Sequence, residues 1–245
     1  MPPLSGTAVV TGAASGIGRA TALRLRDDGL NVIAVDRDVV GLASLDGMEQ
    51  LQADVTASSS RDEVVAAAAG ANFLVNAAGV IRLKPILEFT VQDIRDIYAV
   101  NVDALWDLTS RIGRELPSDG AIVNVSSMSA KLATTTETAV YASSKAAVLS
   151  ITRSFAHKFA ENGVRVNAIC PGIIQTAMHE EVLTRLSEIR GIPAREASGA
   201  WKANVPLKRS AAPEECAGLI RFLLSDEAGY MTGQAIDQSG GMVMW

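Results

Sequence analysis

Residues 7–18 read TAVVTGAASGIG. Ala8, Val9 and Val10 run straight into Gly12, Gly16 and Gly18, and helical spacing follows at Ile17, Ala20, Thr21, Leu23 and Leu25. A strand, a tight turn and a helix in that order aim backbone N–H groups and a helix N-terminus at one point. Such a point favours an anion, usually a phosphate. Glycine suits a corner where the chain turns tightly, or where a pyrophosphate or another strand comes too close for a Cβ. The spacing here is G-x3-G-x-G and not the G-x-G-x-x-G of the common dinucleotide fingerprint. Alone, the turn also fits a glycine-rich βα corner that holds nothing.

Working outward, short apolar runs alternate with amphipathic stretches. Strands are expected at 7–11, 31–35, 51–53, 72–75, 121–125, 164–169 and 234–237. Helices are expected at 17–28, 58–69, 90–114, 140–161 and 213–224, with a short helix and turn in 37–48. Ser58 is the expected N-cap of its helix, with Asp62 and Glu63 in the first turn. Thr90 opens the next helix, with Asp93 three positions on. Strands alternating with helices predict an α/β fold: a doubly wound parallel sheet of about seven strands with helices on both faces. No linker, repeat or low-complexity segment divides 1–245, so one domain is expected. In such sheets the functional loops lie at the carboxyl ends of the strands. The polar residues there are Asp36, Asp54, Asn76, Ser126 and Ser127.

Composition excludes several classes. The net charge of −5, with Lys and Arg scattered, argues against a nucleic-acid partner. Cys170 and Cys216 form no C-x-x-C, and His157 and His179 belong to no metal-binding pattern, so no metal is expected. No apolar run reaches the length of a membrane span, and the opening MPPLSG is too short and polar for a secretory leader. A cytoplasmic protein without membrane contact is the expectation.

Three features carry chemistry. Asp36 ends the second strand, 18 residues after Gly18, where an acid accepts hydrogen bonds from an adenosine ribose. A carboxylate there repels a 2′-phosphate, so NAD is the expected cofactor; the neighbouring Arg37 could instead pair with that phosphate. Tyr141 and Lys145 share one helix face at i and i+4. A phenol with pKa near 10 is a poor acid–base at neutral pH, and a nearby cation favours its phenolate. That suits hydride transfer, in which a hydroxyl loses its proton as hydride leaves. Ser127, 14 residues before Tyr141, could hold the substrate oxygen or simply cap a turn.

Taken together, Thr11–Gly18 (TGAASGIG), Asn76-Ala-Ala-Gly79, Asn101, Ser127, Tyr141-x3-Lys145, Asn167, Pro171-Gly172 and Thr176 resemble the short-chain dehydrogenase/reductase family across essentially the whole chain. The resemblance implies a Rossmann fold. It implies that Tyr141 is the acid–base, that Lys145 lowers its pKa and bonds the nicotinamide ribose, and that Ser127 orients the substrate oxygen. It implies that Asn101 holds a water linking Lys145 to solvent. Gly12, Ser15, Gly16, Ile17 and Gly18 would hold the pyrophosphate, with Asp36 and Arg37 at the adenosine. Asp54 and Val55 would contact adenine, and Asn76, Ala77 and Gly79 would pass the ribose. Pro171, Gly172, Ile174 and Thr176 would hold the nicotinamide. Three departures stand out: the Ser127–Tyr141 spacing is one longer than the commonest, the usual V-D-G-G is Gln238-Ser239-Gly240-Gly241 here, and the segment between Asp54 and Asn76 is short.

Residues 173–205 are long enough to form a lid, with Ile173, Met178, Leu183 and Trp201 as apolar candidates. By family position, Ile81, Arg82, Met128 and the stretch 134–138 would face the substrate. Arg82 could pair with a substrate carboxylate, or sit on the surface beside Glu88. These residues predict a small-molecule partner, a polar secondary alcohol: a sugar, polyol, sugar acid or hydroxy acid. The alternatives are a 3-oxoacyl-thioester reductase or hydroxysteroid dehydrogenase and, in another class, a non-catalytic NAD sensor. The apolar tail Met242-Val-Met-Trp245 and the two long helices suggest subunit contacts in a homotetramer.

Overall fold

A computed structural model describes residues 4–132 and 135–244, leaving aside the side chains at 194, 197, 200 and 201. The expectations placed on residues 1–3, Thr134 and Trp245, and on the Trp201 side chain, therefore lie outside the described residues. The chain runs β1 (Thr7–Thr11), α1 (Gly16–Asp27), β2 (Asn31–Asp36), α2 (Val39–Leu42), β3 (Glu49–Gln52), α3 (Ser58–Ala67) and β4 (Phe73–Asn76). It continues through α4 (Val91–Tyr98), a π-helical segment Ala99–Ala104, α5 (Leu105–Gly113), β5 (Ala121–Val125), α6 (Ala139–Ala160) and β6 (Arg165–Pro171). Last come α7 (Ala177–Arg190), α8 (Ala194–Ala203), α9 (Pro213–Leu224) and β7 (Ala235–Gln238).

The strands form one seven-stranded sheet in the order β3-β2-β1-β4-β5-β6-β7, and every pairing is parallel. The period-2 alternation of side chains splits the core in two. Ala8, Val10, Val32, Ala34, Val75 and Val123 point to the face covered by α1 and α9. Val9, Ile33, Leu74 and Ile122 point to the face covered by α3, α5 and α6. Both faces are buried, which is why these strands read as continuous apolar runs. On the first face the nearly inaccessible Arg221 of α9 pairs with Asp28 at 2.9 Å, tying α9 to the end of α1. The order reverses between β1 and β4, and that switch point opens the crevice at the strands' carboxyl ends.

Two local expectations change. Ser58 is the first residue of α3 and not its cap; Ala57 holds the cap position without a side-chain bond, and the first turn carries no acid. The helix expected at 90–114 is not uniformly α. Thr90 caps it, accepting from the Asp93 N–H at 3.1 Å while Asp93 accepts from the Thr90 N–H at 2.9 Å. Its middle widens into the π segment that carries Asn101. A polar residue pulled out of an α register by tertiary bonds explains such a widening, and hydrophobic periodicity does not register it. Among the described residues no helix is long and apolar enough to cross a membrane, and no cluster of His, Cys, Asp and Glu could hold a metal.

Candidate active site

A cleft of about 800 Å³ opens over the carboxyl ends of the strands. Its floor begins at the β1–α1 corner. Gly12 has φ +69°, and a Cβ there would lie 2.7 Å from the Ala78 nitrogen. A Cβ on Gly18 would lie 2.0 Å from the Gly12 carbonyl oxygen. These contacts are with backbone, so the corner closes only with glycine at both positions. Ser15 makes no capping bond to α1, so its side chain leaves the helix N-terminus, together with Gly16 and Ile17, on the cleft wall. The glycine cradle and open helix end fit a pyrophosphate.

At the end of β2, Asp36 accepts the Ala14 N–H through Oδ2 and the Asp38 N–H through Oδ1, both at 3.0 Å. The carboxylate is thereby fixed at the cleft edge, with lone pairs left for ribose hydroxyls. Arg37 is exposed at the same edge. Asp54 is also on the wall; the Thr56 N–H and hydroxyl hold it below the usual carboxylate range, with a smaller contribution from Arg37. Val55, Ala77 and Gly79 line the cleft as expected.

Asn76 does not. Its amide donates to Thr109 Oγ1 at 3.0 Å and Asn124 Oδ1 at 2.9 Å, and Asn124 donates in turn to Thr152 Oγ1 at 3.0 Å. This buried ladder ties α5, β4, β5 and α6 together, so the Asn76 side chain is scaffold and lies off the cleft wall. Among the described residues its Oδ1 has no partner, and Asn76 borders a void of about 10 Å³, roughly one water in size.

The cleft also gathers Ser127, just after β5, with Tyr141 and Lys145 of α6. Ser126 donates to the Lys145 carbonyl at 2.8 Å, clamping α6 to the end of β5. Lys145 is 4% exposed, and its Nζ donates to the Val125 carbonyl at 2.9 Å. Burial pushes its pKa down to about 8. The same Nζ lies 5.8 Å from the Tyr141 ring centroid. Burial raises the Tyr141 pKa above its usual value, and the Ser127 hydroxyl only partly opposes that. The shift is opposite to the lowering expected from Lys145, because loss of solvent around the phenolate dominates it.

Asn101 is fully buried beside this group. Its Oδ1 accepts the Val80 N–H at 2.9 Å, and its Nδ2 donates to the Val80 carbonyl at 3.0 Å and to Ser144 Oγ at 2.9 Å. Ser144 donates to the Tyr141 carbonyl at 2.7 Å. Asn101 thus joins the loop after β4 to the first turns of α6. Pro171, Gly172, Ile174 and Thr176 line the opposite wall, and Thr176 caps α7 by accepting the His179 N–H at 3.2 Å.

On the substrate side Met128 and Met178 face the cleft. Ile81 and Ile173 line it too, while Leu183 of α7 packs with Leu83, Val182 and Leu186. Arg82 is a correction. It bonds Asp93 at 2.7 Å and Asp96 at 3.1 Å, away from the cleft wall and from Glu88. Asp93 lies fixed at the start of α4 and offers a carboxylate nearer than any substrate. Residues that sequence reasoning did not assign to the site line the cleft instead, among them His179, Arg190 and Met242. The tail is also partly corrected, since Val243 is buried against its own chain, its N–H donating to Ser239 Oγ at 3.0 Å. Met244 is 72% exposed.

Comparison with known proteins agrees with this geometry. The family described as enoyl-(acyl carrier protein) reductase matches residues 12–243. L-2,3-butanediol dehydrogenase of Corynebacterium glutamicum is 34% identical over 98% of this chain and 99% of its own. Galactitol 2-dehydrogenase (L-tagatose-forming) of Cereibacter sphaeroides is 34% identical over 97% of this chain and 95% of its own. The crystal structure of a putative NAD(P)-dependent gluconate 5-dehydrogenase from Beutenbergia cavernae, with bound NADP, superposes with a TM-score of 0.89 at 34% identity, covering 98% of this chain and 99% of the other. With its seven-stranded sheet, its glycine corner and its Ser127, Tyr141 and Lys145, the chain belongs to the short-chain dehydrogenase/reductase family.

Proposed function

We propose that this protein is an NAD-dependent oxidoreductase that interconverts a small polar secondary alcohol and its ketone. One observation carries the reading: Ser127, Tyr141 and Lys145 converge at one end of a cleft whose other end is edged by the Asp36 carboxylate. When bound, the nicotinamide supplies the two-electron acceptor that takes hydride from the carbinol carbon. The protein's part is the proton. Ser127 holds the substrate oxygen, and Tyr141 takes its proton as phenolate in oxidation or donates it as phenol in reduction. Lys145 stabilises the phenolate electrostatically and anchors the ribose side of the site. Asn101 keeps Gly79 and Val80 against Lys145, and the second lone pair of its Oδ1 could hold the relay water. Asp36 favours a free 2′-hydroxyl over a 2′-phosphate. Helices α7 and α8 act as the lid that excludes water. The relatives named for butanediol and galactitol support a small polyoxygenated substrate.

Assembly as a homotetramer in the cytoplasm belongs to the same proposal. Exposed Val91, Ile94 and Trp106 on α4 and α5 support subunit contacts along that face. The test is a screen of NAD reduction against diols, polyols, sugar acids and hydroxysteroids, beside calorimetry with NAD and NADP. Turnover with polar secondary alcohols and tighter NAD binding are expected. Turnover only with hydroxysteroids would overturn the substrate class, and tighter NADP binding would overturn the cofactor assignment.

A further inference from the structure

On the cleft wall Arg190 is ion-paired with Glu137, which does not itself line the cleft, and proton and hydride transfer do not use this pair. Glu137 lies in the 3-10 turn Thr136–Thr138 that feeds α6, one helical turn before Tyr141, and is 8% exposed. Both its carboxylate oxygens are taken by one guanidinium: Arg190 donates from Nε to Oε1 at 2.8 Å and from Nη2 to Oε2 at 2.9 Å. Arg190 ends α7 and lies on the cleft wall. The Glu137 carbonyl accepts the Lys84 N–H at 3.2 Å, so the pair joins the loop after β4, the entry to α6 and the lid. The bidentate contact uses two of the five guanidinium N–H groups, and the described residues offer the other three no acceptor.

The other cations near the substrate are committed. Arg82 and Lys84 both turn to Asp93, and Lys145 belongs to the catalytic group. His179 has its pKa lowered by burial and further by Lys202, against the weaker opposing effect of Glu180. Among the described residues, therefore, no uncancelled cation other than Lys145 faces the substrate.

We propose that the Arg190–Glu137 pair determines substrate specificity: Arg190 donates to an oxygen remote from the reacting carbon, and Glu137, by cancelling its charge, selects neutral diols, polyols and hydroxyketones over hydroxy-carboxylates. A carboxylate seated on Arg190 would meet the Glu137 carboxylate on the same guanidinium, and the like charges would repel. The proposal rests on the secondary-alcohol reading. It is not given by the relatives, whose names include both neutral polyols and a sugar acid.

The experiment uses matched pairs of one carbon skeleton: 2,3-butanediol against 3-hydroxybutyrate, and a hexitol against its aldonate. It measures kcat/KM with NAD, and separately the shift in Tm that each compound gives the NAD-loaded protein. The wild type should favour the neutral partner by both measures. Glu137→Gln leaves Arg190 uncancelled and should move the ratio about tenfold toward the carboxylate, chiefly in KM, the worth of one charge-assisted hydrogen bond. The double variant Glu137→Gln/Arg190→Gln restores neutrality and should return the ratio toward wild type, which a merely structural role would not do. Should Glu137→Gln not fold, Arg190→Lys decides: it keeps the charge balance but loses the planar fork, so the neutral preference should persist while polyol KM rises about tenfold. A wild type that prefers carboxylates, an unmoved ratio in Glu137→Gln, or an unmoved polyol KM in Arg190→Lys overturns the proposal. If no alcohol is oxidised at all, the reaction reading falls, and the Tm shifts still decide the charge preference.

Discussion

Lys145 should make the cofactor-free protein less stable at neutral pH than at alkaline pH. Its ammonium is 4% exposed, and among the described residues its direct acceptor is the Val125 carbonyl. Burial lowers its pKa from 10.5 to about 8. A lysine so depressed keeps its proton in the unfolded chain to higher pH than in the folded one. Stability therefore rises as pH climbs from 8 to 10.5, and the gain is absent below 8. Relative to a neutral side chain the cost is about 3 kcal/mol at pH 7 and about 2 kcal/mol at pH 9. Lys145→Met keeps the length and removes the charge, at a pH-independent loss of about 1 kcal/mol for the Val125 hydrogen bond. Urea unfolding of wild type and variant without cofactor, at matched protein concentration, gives the difference at each pH. Cys170 and Cys216, whose thiols burial raises to about 11 and about 12, destabilise the fold chiefly above pH 9, beyond the window compared. Wild type should gain about 1 kcal/mol on Lys145→Met between pH 7 and pH 9. A difference that stays flat, or moves the other way, would refute the idea that a buried ammonium is held here against desolvation.

Tyr141→Phe should cut the initial rate about 10²–10⁴-fold while calorimetric NAD affinity holds, because only the proton acceptor is removed. Since burial raises the Tyr141 pKa, wild-type alcohol oxidation should accelerate with rising pH up to that raised value and ketone reduction should slow; initial rates showing the reverse signs would remove Tyr141 from the acid–base role. Gly12→Ala combines a left-handed φ with a backbone collision at Ala78, together about 3 kcal/mol, so Tm should fall by about 6–12 °C. Asp36→Asn should shift the ratio of NAD to NADP dissociation constants about tenfold toward NADP by removing one negative charge; calorimetry that finds the ratio unmoved would detach selectivity from Asp36.

The fold was legible because its signals are local. The apolar runs of β1, β2 and β5 alternate with helical periods, and the strand bounds at 121–125 and helix bounds at 213–224 are recovered from that pattern without change. The glycine corner, Asp36 and the Tyr141–Lys145 pair were legible too, since each needs a residue type at a fixed offset from an element's end. The π segment was hidden. It depends on Asn101 reaching Val80 and Ser144, contacts 21 and 43 residues away that no periodicity records. Asn76 misled for a related reason. It ends β4 where a functional residue belongs, yet its amide is drawn to Thr109 and Asn124 inside the sheet. A strand's last side chain points to one face or the other, and the sequence position alone leaves open whether that face is ligand or core.

The two arginines show where sequence reading stops on the substrate side. Arg82 follows β4 at a position that should face the substrate, and a sequence can say no more than that an arginine is there. What decides its role is whether an anion is already within reach. Asp93, fixed by the capping bonds of Thr90, claims both Arg82 and Lys84. Arg190 ends α7, 53 residues from the carboxylate that holds it. Its place on the cleft wall comes from two distant constraints, the apolar packing of α7 on Leu83 and the burial of Glu137 beside Tyr141. Reaction type is set by groups on rigid strand ends and one helix, so it survives in short motifs. Substrate charge is set by which long side chains cancel one another across loops, and that is a property of pairs.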